Sequence, residues 1–247
     1  MLNINQVSKS FTVDRSTKTI LEQMTLDVMP GEFVSLIGPS GSGKSTLFQI
    51  IGGTLLADSG EVHINKKHVN GQTGHVSYMP QQSTLLPWYT VEKNIQVALE
   101  IAGIGKNEAI PLIHQALEQV GLLEYKDAYP HMLSGGMSQR ISFIRALLAP
   151  QPLMLLDEPF GALDALTRLN MQKWLLDVWE KNRKSVLLIT HSIDEALLLS
   201  DRIYVMSHTP ATIVAQFKLP FTRPRNENIW TTEQFNQLKN EIYQLLV

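Results

Sequence analysis

Gly38-Pro39-Ser40-Gly41-Ser42-Gly43-Lys44-Ser45-Thr46 is the stretch from which the rest of the chain is read. It matches the pattern G-x-x-x-x-G-K-[ST]. Its glycines let backbone N–H groups turn inward around phosphate oxygens. In that arrangement Lys44 reaches the β and γ phosphates and the Ser45 hydroxyl binds Mg²⁺. The stretch before it, Phe33-Val34-Ser35-Leu36-Ile37, is a short apolar run of the kind that forms a buried strand. The stretch after it, Ser45 to Ile51, reads as a helix stopped by Gly52-Gly53. Strand, loop and helix are the setting the motif needs, because the helix presents its positive end to the same anion. Four fixed positions arise by chance in about one chain of this size in a hundred, and the setting argues against chance here.

Outward from the loop, the first thirty residues alternate like strands around a polar turn, Asp14-Arg15-Ser16-Thr17-Lys18, which predicts an antiparallel layer. Glu61–Ile64 and His75–Met79 are further strand candidates. From Thr90 to Leu148 the pattern turns helical. Thr90 is a candidate N-cap, Ile95 and Leu99 are four apart, and Ile110, Ile113, Leu117 and Val120 hold one face that Gly121 ends. Met137, Ile141, Ile144 and Leu148 form a third apolar stripe. Strands return at Leu153–Leu156, Val186–Ile189 and Ile203–Met206, the first two joined by a helix from Ala165 to Glu180 that Asp164 caps. Strand, helix, strand in this order means a parallel α/β sheet. From Thr209 the chain reads as a short strand, a Pro-rich turn and one polar helix.

The composition narrows the class. At about 150 residues per domain, 247 residues make one large domain or two small ones. A net charge of −2 argues against a dedicated nucleic-acid binder, and 44% hydrophobic against 18% charged residues argues against disorder. There is no cysteine, hence no disulfide framework, thiolate metal site or Cys nucleophile. No run approaches about 18 apolar residues, so a membrane span is not expected. Met1-Leu2-Asn3-Ile4-Asn5 lacks the basic-then-apolar pattern of a secretory signal. The expectation is a soluble, intracellular chain.

Two more stretches carry chemistry. Leu153-Met154-Leu155-Leu156-Asp157-Glu158 is an apolar strand ending in two carboxylates. Asp157 suits an approach to Mg²⁺ beside the phosphate loop, and Glu158 suits a general base on attacking water. Leu133-Ser134-Gly135-Gly136-Met137-Ser138-Gln139-Arg140 places a hydroxyl and free N–H groups at a helix start, a second anion-binding feature. A chain with one phosphate loop has no need of it, so the economical reading is a nucleotide held by another copy. That predicts a head-to-tail dimer with two ATP molecules between the copies. An ordinary Ser cap with a Gly turn is the alternative for the tetrapeptide alone.

Taken together, the phosphate loop, Leu-Ser-Gly-Gly, Leu-Leu-Asp-Glu-Pro and Thr190-His191, in this order, resemble the ATP-binding subunit of ABC transporters. The resemblance covers nearly the whole chain. It implies an α/β fold: a P-loop, RecA-like ATPase core carrying the N-terminal β layer and an inserted α-helical subdomain. The core would take residues 1–84 and 151–220, the helical insertion 85–150 and a tail helix 221–247. Phe11 matches the aromatic that stacks on adenine, with a half-buried strand aromatic as the other reading. Gln81, chosen over Gln82 by its spacing to Leu85-Leu86-Pro87-Trp88, matches the residue that touches Mg²⁺ and the attacking water. Trp88 is either a contact to a membrane subunit or a buried aromatic. Asp164 matches the loop coupling the two ATP sites and is also the helix cap already named. His191 matches the switch that contacts the γ-phosphate and orients the water and Glu158. His63, His68, His75, His114, His131 and His208 show no metal spacing, so zinc is not expected. Departures from the family pattern at Pro80, Met132, Met137 and Ser192 remove no group that performs chemistry.

Leu85-Leu86-Pro87-Trp88 and Phe160-Gly161-Ala162-Leu163-Asp164-Ala165-Leu166-Thr167-Arg168 resemble the importer group that handles nitrate, sulfonates, taurine and thiamine-pyrimidine precursors. The resemblance implies a peripheral subunit on the cytoplasmic face of the membrane. It would pair with a second copy and sit under integral permease subunits fed by an extracytoplasmic substrate-binding protein, with no nucleic-acid partner. A soluble ABC-type ATPase acting on DNA or the ribosome is the alternative; such proteins carry coiled-coil, zinc or tandem ATPase modules not visible here. A plain P-loop kinase would have no use for Ser134-Gly135-Gly136.

Overall fold

The computed structural model describes every residue except Asp14, Arg15, Ala162, Asn226 and Val247. The strands are β1 (Leu2–Val13), β2 (Ser16–Val28), β3 (Phe33–Ile37), β4 (Ser59–Ile64), β5 (Lys67–His68), β6 (Val76–Met79), β7 (Leu153–Asp157), β8 (Ser185–Ile189), β9 (Arg202–Met206) and β10 (Ile213–Lys218). The α-helices are α1 (Lys44–Ile51), α2 (Val91–Ile101), α3 (Lys106–Gln119), α4 (Gly135–Leu148), α5 (Ala165–Asn182), α6 (Ile193–Leu199) and α7 (Glu233–Leu246). None of the described helices is long and apolar enough to cross a membrane.

β3, β7 and β8 are buried at every position, which is why they read as unbroken apolar runs: both sheet faces are covered. They lie in a six-stranded sheet of order β10-β9-β3-β8-β7-β6, parallel throughout except for β10, which runs antiparallel to β9. A second sheet, β2-β1-β4-β5, is antiparallel. Ser16, Thr17 and Lys18, expected in the polar turn, are instead the opening residues of β2 and pair with β1; Asp14 and Arg15 lie outside the described residues.

Helix α1 fills the space between the sheets. Its Leu47, Phe48, Ile50 and Ile51 pack with Ile4, Val7 and Met24 of the antiparallel layer and with Leu36, Leu155 and Leu187 of the parallel sheet. The opposite face is covered by α5 and the end of α4, through Leu175, Trp179, Phe143 and Leu147. α2, α3 and the start of α4 close a separate apolar cluster around Ile95, Leu99, Ile113, Leu117 and Ile141, which accounts for the periodic stripes. Thr90, Ser134, Asp164 and Ser192 each accept a backbone N–H and so start α2, α4, α5 and α6. α6 and α7 pack on Ile37, Ile203 and Val205, closing the far side.

The consequence for function is positional. The phosphate loop follows β3, the Gln81 loop follows β6, Asp157 ends β7, and Thr190-His191 follows β8. All four leave the carboxyl ends of adjacent parallel strands, the edge of an open α/β sheet where ligands bind.

Candidate functional site

The phosphate loop is built on Gly38, whose neighbours leave no room for a side chain: a Cβ there would stand 2.9 Å from Cβ of Met206. Ser42 N–H donates to the Pro39 carbonyl at 3.2 Å, and Thr209 Oγ1 donates to the Gly41 carbonyl at 3.0 Å. Gly43 caps α1 in a left-handed conformation and supplies no side-chain acceptor. The first N–H groups of α1 therefore point into the loop with their partial positive charge. Lys44, 7% exposed, folds back so that Nζ donates to the carbonyls of Gly38 (2.9 Å) and Pro39 (2.8 Å). Burial pushes its ammonium below the usual lysine range, while the charges of Glu158 and Asp157 pull the other way. The Ser42 hydroxyl is buried without a protein partner. Ser40, Gly41 and Ser45 are exposed, and Pro39 and Thr46 half-buried, at the mouth of the loop.

Asp157 closes β7 at 5% exposure. Burial raises its carboxyl above the usual range, and hydrogen bonds from Tyr78 and Ser45 oppose the rise. The Tyr78 O–H donates to Asp157 Oδ2 at 3.2 Å. The next residue, Glu158, turns at φ 45°, a left-handed conformation uncommon for a residue with a side chain. Its N–H donates to the Ile189 carbonyl at 2.9 Å, which ties the turn to β8. Its Oε2 accepts from Gln81 Nε2 at 2.9 Å and lies 3.5 Å from His191 Nδ1. Gln81, rather than Gln82, is thus the glutamine joined to this carboxylate, and three sequence-predicted residues meet at one oxygen.

His191 is held from below. Thr190 Oγ1 donates to Glu195 Oε2 at 2.5 Å and accepts the Ser192 N–H at 3.0 Å, while Ser192 Oγ accepts the Glu195 N–H at 3.3 Å. Burial raises the Glu195 carboxyl, opposed by the Thr190 bond and by the charges of Arg168 and His191.

Ser134, Gly135 and Gly136 open α4 as expected. Ser134 Oγ accepts the Met137 N–H at 3.3 Å, so the cap reading holds. Nothing stands within 4 Å of a Cβ built at Gly135, so the helix start is open to its surroundings. Asp164 caps α5 through the N–H groups of Leu166 (3.2 Å) and Thr167 (3.1 Å). Its hydrogen bonds to Thr167 hold that carboxyl below the usual range. Ala162, in the same loop, lies outside the described residues. Phe11 sits on β1, paired with Lys18 of β2 and 39% exposed, with Lys9 Nζ 5.5 Å from its ring centre. Trp88 is 66% exposed, so the buried reading of that aromatic does not hold.

Sequence reasoning missed the side chains that brace the loops beside this site and the ends of α4 and α6. Asn94 accepts the Leu86 N–H at 2.7 Å and donates to the Leu86, Tyr89 and Thr90 carbonyls, which shapes the loop carrying Trp88. Arg145 donates to Thr84 twice, tying the loop after Gln81 to α4. Lys184 donates to the Leu147 and Ala149 carbonyls at the C-terminal end of α4, and Arg225 donates to the Leu197, Leu198 and Ser200 carbonyls at the end of α6. The only local signals are a polar residue on an apolar helix face (Asn94) and cations distant in sequence from the helix ends they serve.

Known proteins resemble this chain in sequence and in fold. The ABC transporter family model matches residues 21–161. An uncharacterized ABC transporter ATP-binding protein of Methanocaldococcus jannaschii is 40% identical over 245 residues, 99% of this chain and 91% of the relative. The formylaminopyrimidine import ATP-binding protein ThiZ of Halalkalibacterium halodurans is 39% identical, with 100% of this chain and 96% of the relative covered. The aliphatic sulfonates import ATP-binding protein SsuB of Bacillus cereus is 39% identical, with 98% and 94% covered. Among solved structures, the dimeric structure of a bacterial ABC transporter cassette superposes with a TM-score of 0.80 at 29% identity, covering 90% of this chain and 100% of that one. A post-hydrolysis dimer of the cassette bound to ADP and Pi superposes with a TM-score of 0.78 at 28% identity, covering 90% and 100%. With the family model spanning more than half of its length and relatives aligned over nearly all of it, this chain belongs to the ABC transporter family.

Proposed function

We propose that the chain is the ATP-binding and ATP-hydrolysing subunit that powers import of a small solute through a membrane ABC transporter. The observation that carries the reading is the Glu158 carboxylate, whose one oxygen is shared by the Gln81 amide and the His191 ring beside the buried pair Lys44 and Asp157. That is an arrangement for orienting and deprotonating water, and its neighbours are an arrangement for holding phosphate.

The chemistry is positioning and charge stabilisation rather than covalent catalysis. The loop Gly38–Thr46 cradles the phosphates with its N–H groups. Lys44 exchanges its two carbonyl partners for phosphate oxygens, a gain because its charge is desolvated where it now stands. Glu158 takes the proton of the attacking water as its oxygen bonds to phosphorus, and the bond to the leaving phosphate breaks. Gln81 and His191 hold that water and carboxylate in line, and Phe11 stacks on the base. Mg²⁺ fits the donors present, because the Ser45 hydroxyl, the Asp157 carboxylate and the Gln81 amide are all hard oxygen ligands. When bound, the ion neutralises charge on the phosphates.

Ser134, Gly135, Gly136 and Asp164 face a second copy of the chain, and the signature helix start completes the partner's site. The open surface at Gly135 and the dimeric cassette structures support this. In this reading α2–α4 form a signature subdomain inserted at residues 85–150 into an ATPase core, and residues 221–247 are a tail. The helical face near exposed Trp88 meets permease subunits, with an extracytoplasmic binding protein supplying the solute and this chain on the cytoplasmic side. The names of the relatives support a sulfonate- or pyrimidine-like solute.

The test is co-purification of a tagged Glu158→Gln chain in ATP and mild detergent, with partners identified by mass spectrometry. One or two multi-spanning membrane proteins support the importer reading. Ribosomal or DNA-repair proteins alone overturn it and leave the ATP chemistry standing.

A further inference from the structure

Tyr78 has no place in the chemistry above, yet it joins three parts of the site. It lies on β6, three residues before Gln81, in parallel register with Leu155 of β7. Side chains alternate along a strand, so Leu155 and Asp157 share a face, and Tyr78 reaches diagonally to the second of them. Its O–H donates to Asp157 Oδ2 at 3.2 Å. Its ring meets Phe48 of α1 edge-on, with centres 6.2 Å apart and planes at 76°. α1 begins with Lys44 and Ser45, so the ring is set against the helix that carries the phosphate-binding groups. Tyr78 is 43% exposed, so it is not a buried core residue.

A carboxylate offers about four lone-pair sites on two oxygens. At Asp157 the Tyr78 hydroxyl takes one and leaves the rest of the carboxylate open. A phenol at neutral pH is a donor that does not compete for a cation, so its bond orients the carboxylate without blocking it. We infer that Tyr78 is the positioning residue for a divalent cation at Asp157: its hydroxyl fixes the carboxylate plane, and its place on β6 makes that hold depend on the Gln81 loop. A shift of this loop moves β6 and therefore slackens or tightens Asp157, giving the loop a second route to the nucleotide besides Gln81 itself. This rests on the nucleotide reading of the site given above.

Partners one bond removed from a metal ligand typically change metal affinity by about 10–100-fold when lost. The test is Tyr78→Phe, which keeps the ring against Phe48 and removes only the hydroxyl. Mn²⁺ is titrated into wild type and variant with a non-hydrolysable ATP analogue present, and bound ion is followed by electron paramagnetic resonance. Analogue affinity in EDTA and the melting temperature are measured alongside. The expected result is a rise of about 10-fold in half-saturating Mn²⁺, with EDTA affinity and melting unchanged. An unchanged Mn²⁺ titration overturns the inference, and so does an equal loss with and without the ion, which would make Tyr78 a packing residue. Failure of the wild type itself to hold Mn²⁺ with the analogue would sink the nucleotide reading, a result separable from both.

Discussion

Two glycines of the phosphate loop, two residues apart, separate backbone strain from steric fit. Gly41 has φ 76° and nothing within 4 Å of where a Cβ would stand. Gly43 has φ 90°, and its Cβ would come 2.6 Å from Ile20 Cγ2 and 2.9 Å from Leu21 Cδ2 of β2. Leu21 is fully buried, and Ile20 is β-branched and stiff at χ1, so neither yields cheaply. Gly41→Ala therefore carries only the left-handed penalty, about 1–2 kcal/mol. Gly43→Ala carries the same penalty plus overpacking of about 1–3 kcal/mol, for a total of about 2–5 kcal/mol. The assay is urea unfolding of the nucleotide-free chain in EDTA, followed by tryptophan fluorescence. At a slope of about 3 kcal/mol per M, the extra cost lowers the Gly43→Ala midpoint by about 0.3–1 M below that of Gly41→Ala. Equal midpoints would refute the claim that β2 is packed down on the loop, and with it the placing of Phe11's hairpin over the nucleotide.

Other perturbations give independent checks. Ser134→Arg removes a helix cap worth about 1 kcal/mol but abolishes ATP turnover by blocking the partner's site; activity that falls only in step with the unfolded fraction would make Ser134 a cap and nothing more. Asp27 is held below its ordinary 3.8 chiefly by its hydrogen bond from Arg202. Its folded-state value is depressed, so its stabilisation is present above about pH 4 and is lost as pH falls through the lowered value. The stability gap between wild type and Asp27→Asn should hold at neutral pH and close in acid; a gap independent of pH refutes the pairing. Lys184, pushed down to about 8 by burial, is the cation at the end of α4. Lys184→Met should destabilise the chain by about 1–3 kcal/mol through the carbonyls it leaves unpaired, read in the same urea assay, and a neutral result would show that water serves them equally well.

The parts legible in the sequence are those where burial or phosphate chemistry imposes a short-range pattern. β3, β7 and β8 are covered on both faces, and Phe33–Ile37 and Leu153–Asp157 are accordingly continuous apolar runs. The caps at Thr90, Ser134 and Asp164 are local and easily read. The strand order β10-β9-β3-β8-β7-β6 is not, because β3 pairs with β8 and β9, both more than a hundred residues away, and such pairing leaves no neighbouring signal. Helix α6 escapes a periodicity argument since Ala196 to Leu199 are all buried and no polar face breaks the run. Its one signal is Ser192 followed three residues later by Glu195, a capping-box spacing, although Glu195 turns its carboxylate to Thr190 instead. The meeting of Gln81, Glu158 and His191 follows from the carboxyl ends of β6, β7 and β8 lying side by side, so the residues were legible singly and their common oxygen was not. Tyr78 and Arg225 act across long sequence distances, through a single hydroxyl and a single guanidinium, which no local pattern announces.

The central claim is that Glu158 is the base and that two copies close on ATP. Glu158→Gln keeps the shape of the side chain and removes the proton acceptor. Light scattering of this variant should show a monomer without nucleotide and a dimer in saturating ATP and Mg²⁺, with phosphate release abolished. A variant that stays monomeric in ATP, or that hydrolyses at the wild-type rate, would contradict the account.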